Sequence, residues 1–405
     1  MKLCAPGANA ERKSHALGHF RRSCTARRHY TGAVVQNVRC WLSVASLVLG
    51  GACALVGASG CGQTELLASA FLPPENPPII GEGGLGNVPS DPPPYDPAPT
   101  LFTFDGKLRD HCGEPIILRG VAELIAWTPG QDGSPEYFEM AKTGANSVRV
   151  QWRDDATAAA LDLALTGAEA QGLIPVLELQ NATFTSLPEA DALAAVMAYW
   201  MQPAVLSVLL AHQATLVLEI SSWVSQSALA AQWVELYAST IADLRAAGLQ
   251  APIAIVHPSW SIQYSVYADA MAELLKRDSI GNVLSAFDGW VGGAEQAAAR
   301  WQALSAVGVV GYVSEFSSHQ LANCPLTPID GAALLDAAQA AGGGWFAWAW
   351  GTLPTANCEG FLTLTLDGTF ATLTAWGTMI ALEHPAGLSR TATVLRTSPT
   401  STCPL

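Results

Sequence analysis

Residues 147–180 read SVRVQWRDDATAAALDLALTGAEAQGLIPVLELQ, and this stretch decides the fold. Ser147–Trp152 and Ile174–Gln180 are short apolar runs that predict strands. Between them the alanine- and leucine-rich Ala156–Gly172 predicts a helix. Asp154 and Asp155 fit its opening, where the positive end of the helix dipole favours acids. Strand, helix and strand in that order make a βαβ unit, which implies a parallel sheet.

Outward from this unit the alternation repeats. The predicted strands are Ile116–Glu123, Ser147–Trp152, Ile174–Gln180, Leu216–Trp223, Pro252–Trp260, Asn282–Trp290, Val309–Phe316 and Gly344–Trp350. Helices are expected between them, including Gln226–Gly248 and Gly331–Ala341, with Gly248 and Gly342 at helix ends. Eight strands and eight connecting helices close a single (β/α)8 TIM barrel of the α/β class, typically ~250 residues, with no second domain.

Of the 405 residues 50% are apolar and 13% charged, which suits a large buried core. Residues 1–40 carry eight Lys/Arg against one Glu, and the apolar run Trp41–Gly60 follows. Residues 1–60 therefore read as an export signal. The run ends in Ala58-Ser59-Gly60-Cys61-Gly62, small residues before a cysteine, so Cys61 is the expected lipidation site. A plain cleaved signal and a retained anchor stay open, because a run of this length can just span a bilayer. Residues 61–100 hold Pro73-Pro74, Pro77-Pro78, Gly83-Gly84 and Pro92-Pro93-Pro94 and read as an extended tether. The barrel is expected over 101–405.

After Cys61 the chain has 12 Lys/Arg against 33 Asp/Glu, a formal net charge of −21. Such a surface repels phosphate backbones, so nucleic acid is excluded as a partner. Four cysteines remain after Cys61, and an exported chain is expected to pair them. Of three connectivities, Cys324–Cys358 would join the last two strand-to-helix loops and Cys112–Cys403 would tie the start of the barrel to the C-terminus. No Cys-x-x-Cys or His-Glu-x-x-His spacing argues for a metal, and no cofactor is expected. A monomer is expected, touching membrane only through a lipid anchor.

Barrel active sites lie at the C-terminal ends of the strands. Those ends carry Glu123, Arg149 to Trp152, Gln180-Asn181, Ser222-Trp223, His257 to Trp260, Asp288 to Trp290, Glu315 and Trp348 to Trp350. Indoles cluster there, and sugar C–H faces stack on aromatic rings. The pattern points to a glycan groove.

The chain resembles glycoside hydrolase family 5, and within it the bacterial β-mannanase branch, over about residues 101–384. The likeness runs through Leu108-Arg109-Asp110 to Leu118-Arg119-Gly120-Val121, Thr143-Gly144-Ala145-Asn146-Ser147-Val148-Arg149-Val150, Ile174–Leu179 with Asn181-Ala182-Thr183, and Ala198-Tyr199-Trp200. It continues through Leu244–Gly248, Asn282-Val283, Glu315-Phe316 and Gly344-Trp345 to Trp350. The resemblance implies that Glu315 takes the place of the nucleophile of a retaining mechanism. It implies that Arg149 orients that carboxylate and that Trp348 is the stacking platform at the cleavage point. Trp127, Asn181 and Trp290 are the remaining substrate-binding candidates.

The departures concern the partner carboxyl. The family's fourth strand ends in Asn-Glu, the Glu being acid/base; those positions are Ser222 and Trp223 here, or Ser221 and Ser222 with the register slid by one. Glu219, earlier in the strand, reads as a buried structural acid. The third-strand His-Asp is Gln180-Asn181, the sixth-strand His-x-Tyr is Asp288-Gly289-Trp290, the first-strand Asn-His is Ala122-Glu123, and the fifth-strand Asp is His257. Loss of general acid catalysis costs about 10²–10⁴-fold. Three readings follow: a glycan-recognising barrel with impaired catalysis; an active retaining glycosidase with a relocated acid, Asp288 first and Glu123 next; and a surface scaffold for protein contacts.

Overall fold

The computed structural model describes residues 98–125, 133–180, 187–221, 230–257, 264–290, 292–320, 327–351 and 361–393. Residues 1–97, Trp127, Asn181, Ser222, Trp223, Cys324, Cys358 and Cys403 lie outside the described residues. Cys112 is disulfide-bonded.

A small antiparallel sheet opens the chain: β1 (Phe102–Phe104), β2 (Lys107–Arg109) and β3 (Pro115–Ile116). Eight parallel strands follow: β4 (Arg119–Glu123), β5 (Ser147–Trp152), β6 (Ile174–Leu179), β7 (Val217–Glu219), β8 (Ile253–Val256), β9 (Val283–Asp288), β10 (Val310–Phe316) and β11 (Gly344–Ala347). They close a barrel in the order β10-β11-β4-β5-β6-β7-β8-β9. The expected (β/α)8 architecture is what the chain adopts.

Alternating side chains divide the core into two shells. Val148, Val150, Leu177, Leu218, Ile253 and Val313 face the helices in the larger shell. Ile174, Val176, Val217, Ala254, Leu284, Ala286, Tyr312 and Phe346 fill the barrel interior. Leu101, Leu108, Ile116 and Leu118, contributed by the opening segment, join that inner cluster and close the barrel floor. Barrels of this kind place their chemistry at the opposite mouth, at the C-terminal ends of the strands.

The approach to β5 shows how the sequence sets the strands. Gly144 turns the chain at φ 85°. The Asn146 side chain accepts from the Arg119 amide (2.8 Å) and donates to the Ile117 carbonyl (2.9 Å), fastening β5 beside β4. A Cβ at Gly120 would stand 2.0 Å from the Ser147 carbonyl oxygen, so the two backbones meet there only because position 120 is glycine.

Some predicted boundaries move. The helix expected over Ala156–Gly172 is Ala158–Ala170, capped by Thr157, whose hydroxyl accepts from the Ala160 amide at 3.2 Å. Asp154 and Asp155 precede that cap; Asp155 pairs with Arg153 at 2.9 Å instead. Two helices, Glu189–Trp200 and Pro203–His212, join β6 to β7 where one was expected. After β11 the described residues carry short turns, Ala375–Thr378, the π-helical Met379–Glu383 and Leu388–Thr391, in place of a long eighth helix. The fourth barrel strand, expected to reach Trp223, ends at Glu219, where its pairing with Glu178 on β6 and Ala254 on β8 stops.

Candidate active site

The inward positions of β5 to β7 turn polar toward the mouth. Gln151 pairs in register with Glu178, and Glu178 with Glu219, so three polar side chains share one interior layer. Arg149 sits one inward position below. Arg149, Glu178 and Glu219 are all fully buried, and buried ionisable groups persist in proteins only when they have partners. Arg149 supplies the pairing. Its Nη2 donates to Glu219 Oε1 (2.6 Å) and lies 2.6 Å from Glu178 Oε2. Its Nε reaches both Glu219 oxygens at 3.2 and 3.3 Å, and its Nη1 donates to Glu315 Oε1 at 2.6 Å. The Tyr312 hydroxyl adds a donor to Glu219 Oε2 at 2.6 Å.

A bulge in β10 brings Glu315 into this group. Val313 pairs with Phe287 and Glu315 with Asp288, two steps on β10 against one on β9. Toward β11, Val313 pairs with Trp345 and Phe316 with Ala347, again one residue too many on β10. The extra residue resets the alternation, so that Glu315 rather than Ser314 follows Tyr312 inward. Glu315 is 6% exposed. Its Oε1 also accepts from Gln151 Nε2 (2.8 Å), and its Oε2 accepts from the Trp290 indole (3.1 Å). Three donors thus fix both oxygens of Glu315.

Three carboxyls around one guanidinium cannot all ionise without leaving excess negative charge. Burial pushes Glu178 up to about 8; Glu219 and Glu315 add to the rise, while Arg149 and Gln151 oppose it. Glu178 therefore holds a proton at neutral pH. Burial alone would lower the Arg149 pKa, but Glu178, Glu219 and Glu315 together hold it well above the ordinary value. Burial and the neighbouring Glu219 likewise keep the Tyr312 phenol well above its usual range.

The end of β7 is different. Glu219 is engaged below by Arg149 and Tyr312, and Ser221 donates its hydroxyl to the Leu179 carbonyl at 2.9 Å. Ser222 and Trp223, the positions where the resemblance leads us to expect an acid/base residue, lie beyond the described residues, and the sequence from Ile220 to Leu229 contains no Asp or Glu.

The other candidates are distributed unevenly. Asp288 closes β9 in register with Glu315, and its buried Oδ1 has no hydrogen-bond partner among the described residues. Burial raises its carboxyl to about 6; Arg300 opposes, Glu315 adds, and the Trp290 amide opposes. Glu123 is buried at the end of β4, where Oε2 accepts from the Ile125 amide at 3.2 Å. His257 packs against Tyr267 with ring centroids 3.9 Å apart, on the helix side of β8. Trp348 and Trp290 meet edge to face, centroids 6.0 Å apart. Trp290 is half-buried, but Trp348, the expected platform, is only 2% exposed.

Sequence reasoning found Glu315 and Arg149 and missed Gln151, Glu178 and Tyr312 as their partners. The available signal was alternation: Gln151 lies two residues from Arg149, and Glu178 two from Val176, on the inward face of parallel strands where polar residues are out of place. Among the described residues, no group of three or more His, Cys, Asp or Glu is arranged to hold a metal.

No family model matches the chain. It is 24% identical to a mannan endo-1,4-β-mannosidase of Cellvibrio japonicus over 304 residues, 72% of this chain and 68% of that protein. It is 27% identical to a mannan endo-1,4-β-mannosidase of Streptomyces lividans over 308 residues, 73% of this chain and 77% of that one. It also superposes on a crystal structure of a β-mannanase from Streptomyces thermolilacinus with mannohexaose. There the TM-score is 0.63 at 22% identity, covering 73% of this chain and 97% of the other, and this shows the shared fold. The sequence likenesses bear out the resemblance to glycoside hydrolase family 5, nearest its bacterial β-mannanase branch.

Proposed function

We propose that this chain is an exported barrel that recognises a β-1,4-linked glycan, mannan or a glucan, and that its hydrolytic chemistry is impaired. The observation that carries the reading is the contrast at the mouth. Glu315 is held by Arg149, Gln151 and Trp290, whereas the segment after β7 offers Ser221, Ser222 and Trp223 where an acid/base glutamate is needed. Cleavage of a sugar–sugar bond by retention needs a nucleophile and a proton donor about 5 Å apart. With the nucleophile alone, a sugar alkoxide has to leave unprotonated, and the bond stays closed. The likeness to mannan-degrading relatives supports mannan as the first ligand to test. In this reading residues 1–60 direct export, Cys61 takes the lipid, and residues 61–100 hold a monomeric barrel away from the membrane.

Asp288 supports a second reading, in which it replaces the missing acid. Its carboxyl sits near 6, as a general acid requires, and Oδ1 has no hydrogen-bond partner among the described residues. Against this, it stands on the strand next to Glu315 and in register with it, beside the nucleophile rather than three strands away. Both readings meet one test: binding of mannohexaose and cellohexaose by calorimetry, together with reducing-end release from mannan. Binding without release supports the impaired barrel. Release that vanishes in Asp288→Asn and in Glu315→Gln supports the relocated acid, and absence of any binding overturns both.

A further inference from the structure

We infer that the barrel rim beyond β10 and β11 carries a sugar-stacking subsite, formed by Phe361 and His319, that takes the C–H face of a hexose in a β-1,4-linked chain outside the cleavage point. This rests on the glycan-binding reading above.

The rim ring is open where the expected platform is closed. Trp348 is 2% exposed and packs with Ala122, Leu124, Ala349 and Leu362, with Trp290 lying against them. Phe361, next in the chain to Leu362, is 42% exposed. An isolated exposed ring would mean little, since single apolar side chains are common on protein surfaces. This one is fixed. The segment that leaves β10 directly after Glu315-Phe316 holds it in place: the Ser317 hydroxyl donates to the carbonyls of Phe361 (3.3 Å) and Leu362 (3.4 Å), and the Ser318 hydroxyl donates to the Phe361 carbonyl. The same Ser318 oxygen lies 2.9 Å from His319 Nδ1. The imidazole in turn meets the Phe361 ring at 4.8 Å between centroids with planes at 71°. Gln320 Nε2 donates to the Trp290 carbonyl at 3.2 Å, so the rim also connects to the loop that supplies Glu315 with its indole donor.

A preset aromatic face loses little conformational freedom on binding. An apolar ring beside an imidazole matches a pyranose, which presents C–H groups on its face and hydroxyls at its edge. Linear β-1,4 chains extend past any cleavage point, so a contact one loop away is reached by the next sugars of the same chain. The arrangement also moves recognition outward, away from the point where catalysis lacks its acid.

The test is calorimetric titration of the full chain with mannohexaose and cellohexaose. Phe361→Ala is expected to weaken binding of the better of the two about 3–10-fold, and His319→Ala by a smaller factor in the same direction. Phe361→Tyr, which keeps the ring, should stay within about twofold of the wild type, an order-of-magnitude expectation for a retained stacking face. Wild-type binding with unchanged affinity in both alanine variants overturns the subsite and leaves the glycan reading standing. No binding of either hexasaccharide by the wild type overturns the glycan reading and the subsite with it.

Discussion

The ends of β7 and β10 face the same cavity and draw on the same arginine, yet their carboxylates have opposite fates. On β10 a bulge lifts Glu315 into the mouth, where Arg149, Gln151 and Trp290 leave it one step from solvent. On β7 the carboxylate is Glu219, fully buried, gripped by Arg149 and by the Tyr312 hydroxyl. From Ile220 to Leu229 the sequence carries no carboxyl side chain. Proximity to an active site therefore does not by itself make an acidic residue catalytic. What counts is whether its oxygens face the reacting bond or satisfy a buried cation.

The sharpest way to break this contrast is to supply what β7 lacks. In the impaired reading, Ser222→Asn combined with Trp223→Glu should raise reducing-end release from mannan by about 10²–10⁴-fold, the usual worth of a general acid. No rise in a variant that still binds mannohexaose would mean that more than the acid is missing. Next in size, Glu219→Gln removes half of a fully buried ion pair and should cost about 3–5 kcal/mol in denaturant melts. Glu178→Gln, which replaces a carboxyl already protonated at neutral pH, should stay within about 1 kcal/mol of the wild type at pH 6. Equal losses in the two variants would dissolve the distinction between them.

The same distinction has a pH signature. Glu178 has a raised pKa, so the folded chain holds a proton that the unfolded chain releases near ordinary glutamate pH. Its contribution is fully present below the unfolded value and is lost as pH rises through about 8. Relative to Glu178→Gln, the wild type should therefore lose stability over that interval. A smaller effect lies far from the mouth. His212 Nδ1 is 2.9 Å from Glu169 and Nε2 is 3.0 Å from Asp162, so both ring nitrogens face carboxylates. The Glu169 hydrogen bond chiefly raises its pKa; burial opposes and Asp162 adds. The sign is that of a cation gaining partners: full stabilisation below the unfolded histidine value, lost as pH rises through the raised one. His212→Ala should cost roughly 0.5–1 kcal/mol at pH 5.5 and less at pH 9, measured by thermal melts at both.

Much of this was legible in the sequence because barrel strands are short apolar runs separated by alanine-rich helices. Ser147–Trp152 and Gly331–Ala341 have the predicted limits. Glu315 and Arg149 were legible as an ion pair from the family motif, and Glu219 as a buried acid from its place in the strand. The bulge at Ser314 was not legible, because plain alternation from Tyr312 aims Ser314 inward and Glu315 toward the helices; only the pairing on both neighbours shows the slip. Burial of Trp348 was equally hidden, since a strand-end position does not say which side chains pack over the ring. The early end of β7 escaped because Ile220 continues the apolar run although the pairing of β7 with β6 and β8 ends at Glu219.

A positioned nucleophile without its acid has a signature in leaving-group chemistry. A dinitrophenyl β-mannobioside needs no protonation of its leaving group, so the wild type should release a burst of dinitrophenolate close to one equivalent. Its mass should rise by one mannobiosyl unit on Glu315, while mannan yields no reducing ends. Glu315→Gln should show neither burst nor adduct. Absence of a burst from wild-type protein that binds mannohexaose would contradict the retained nucleophile, and ready turnover of mannan would contradict the missing acid.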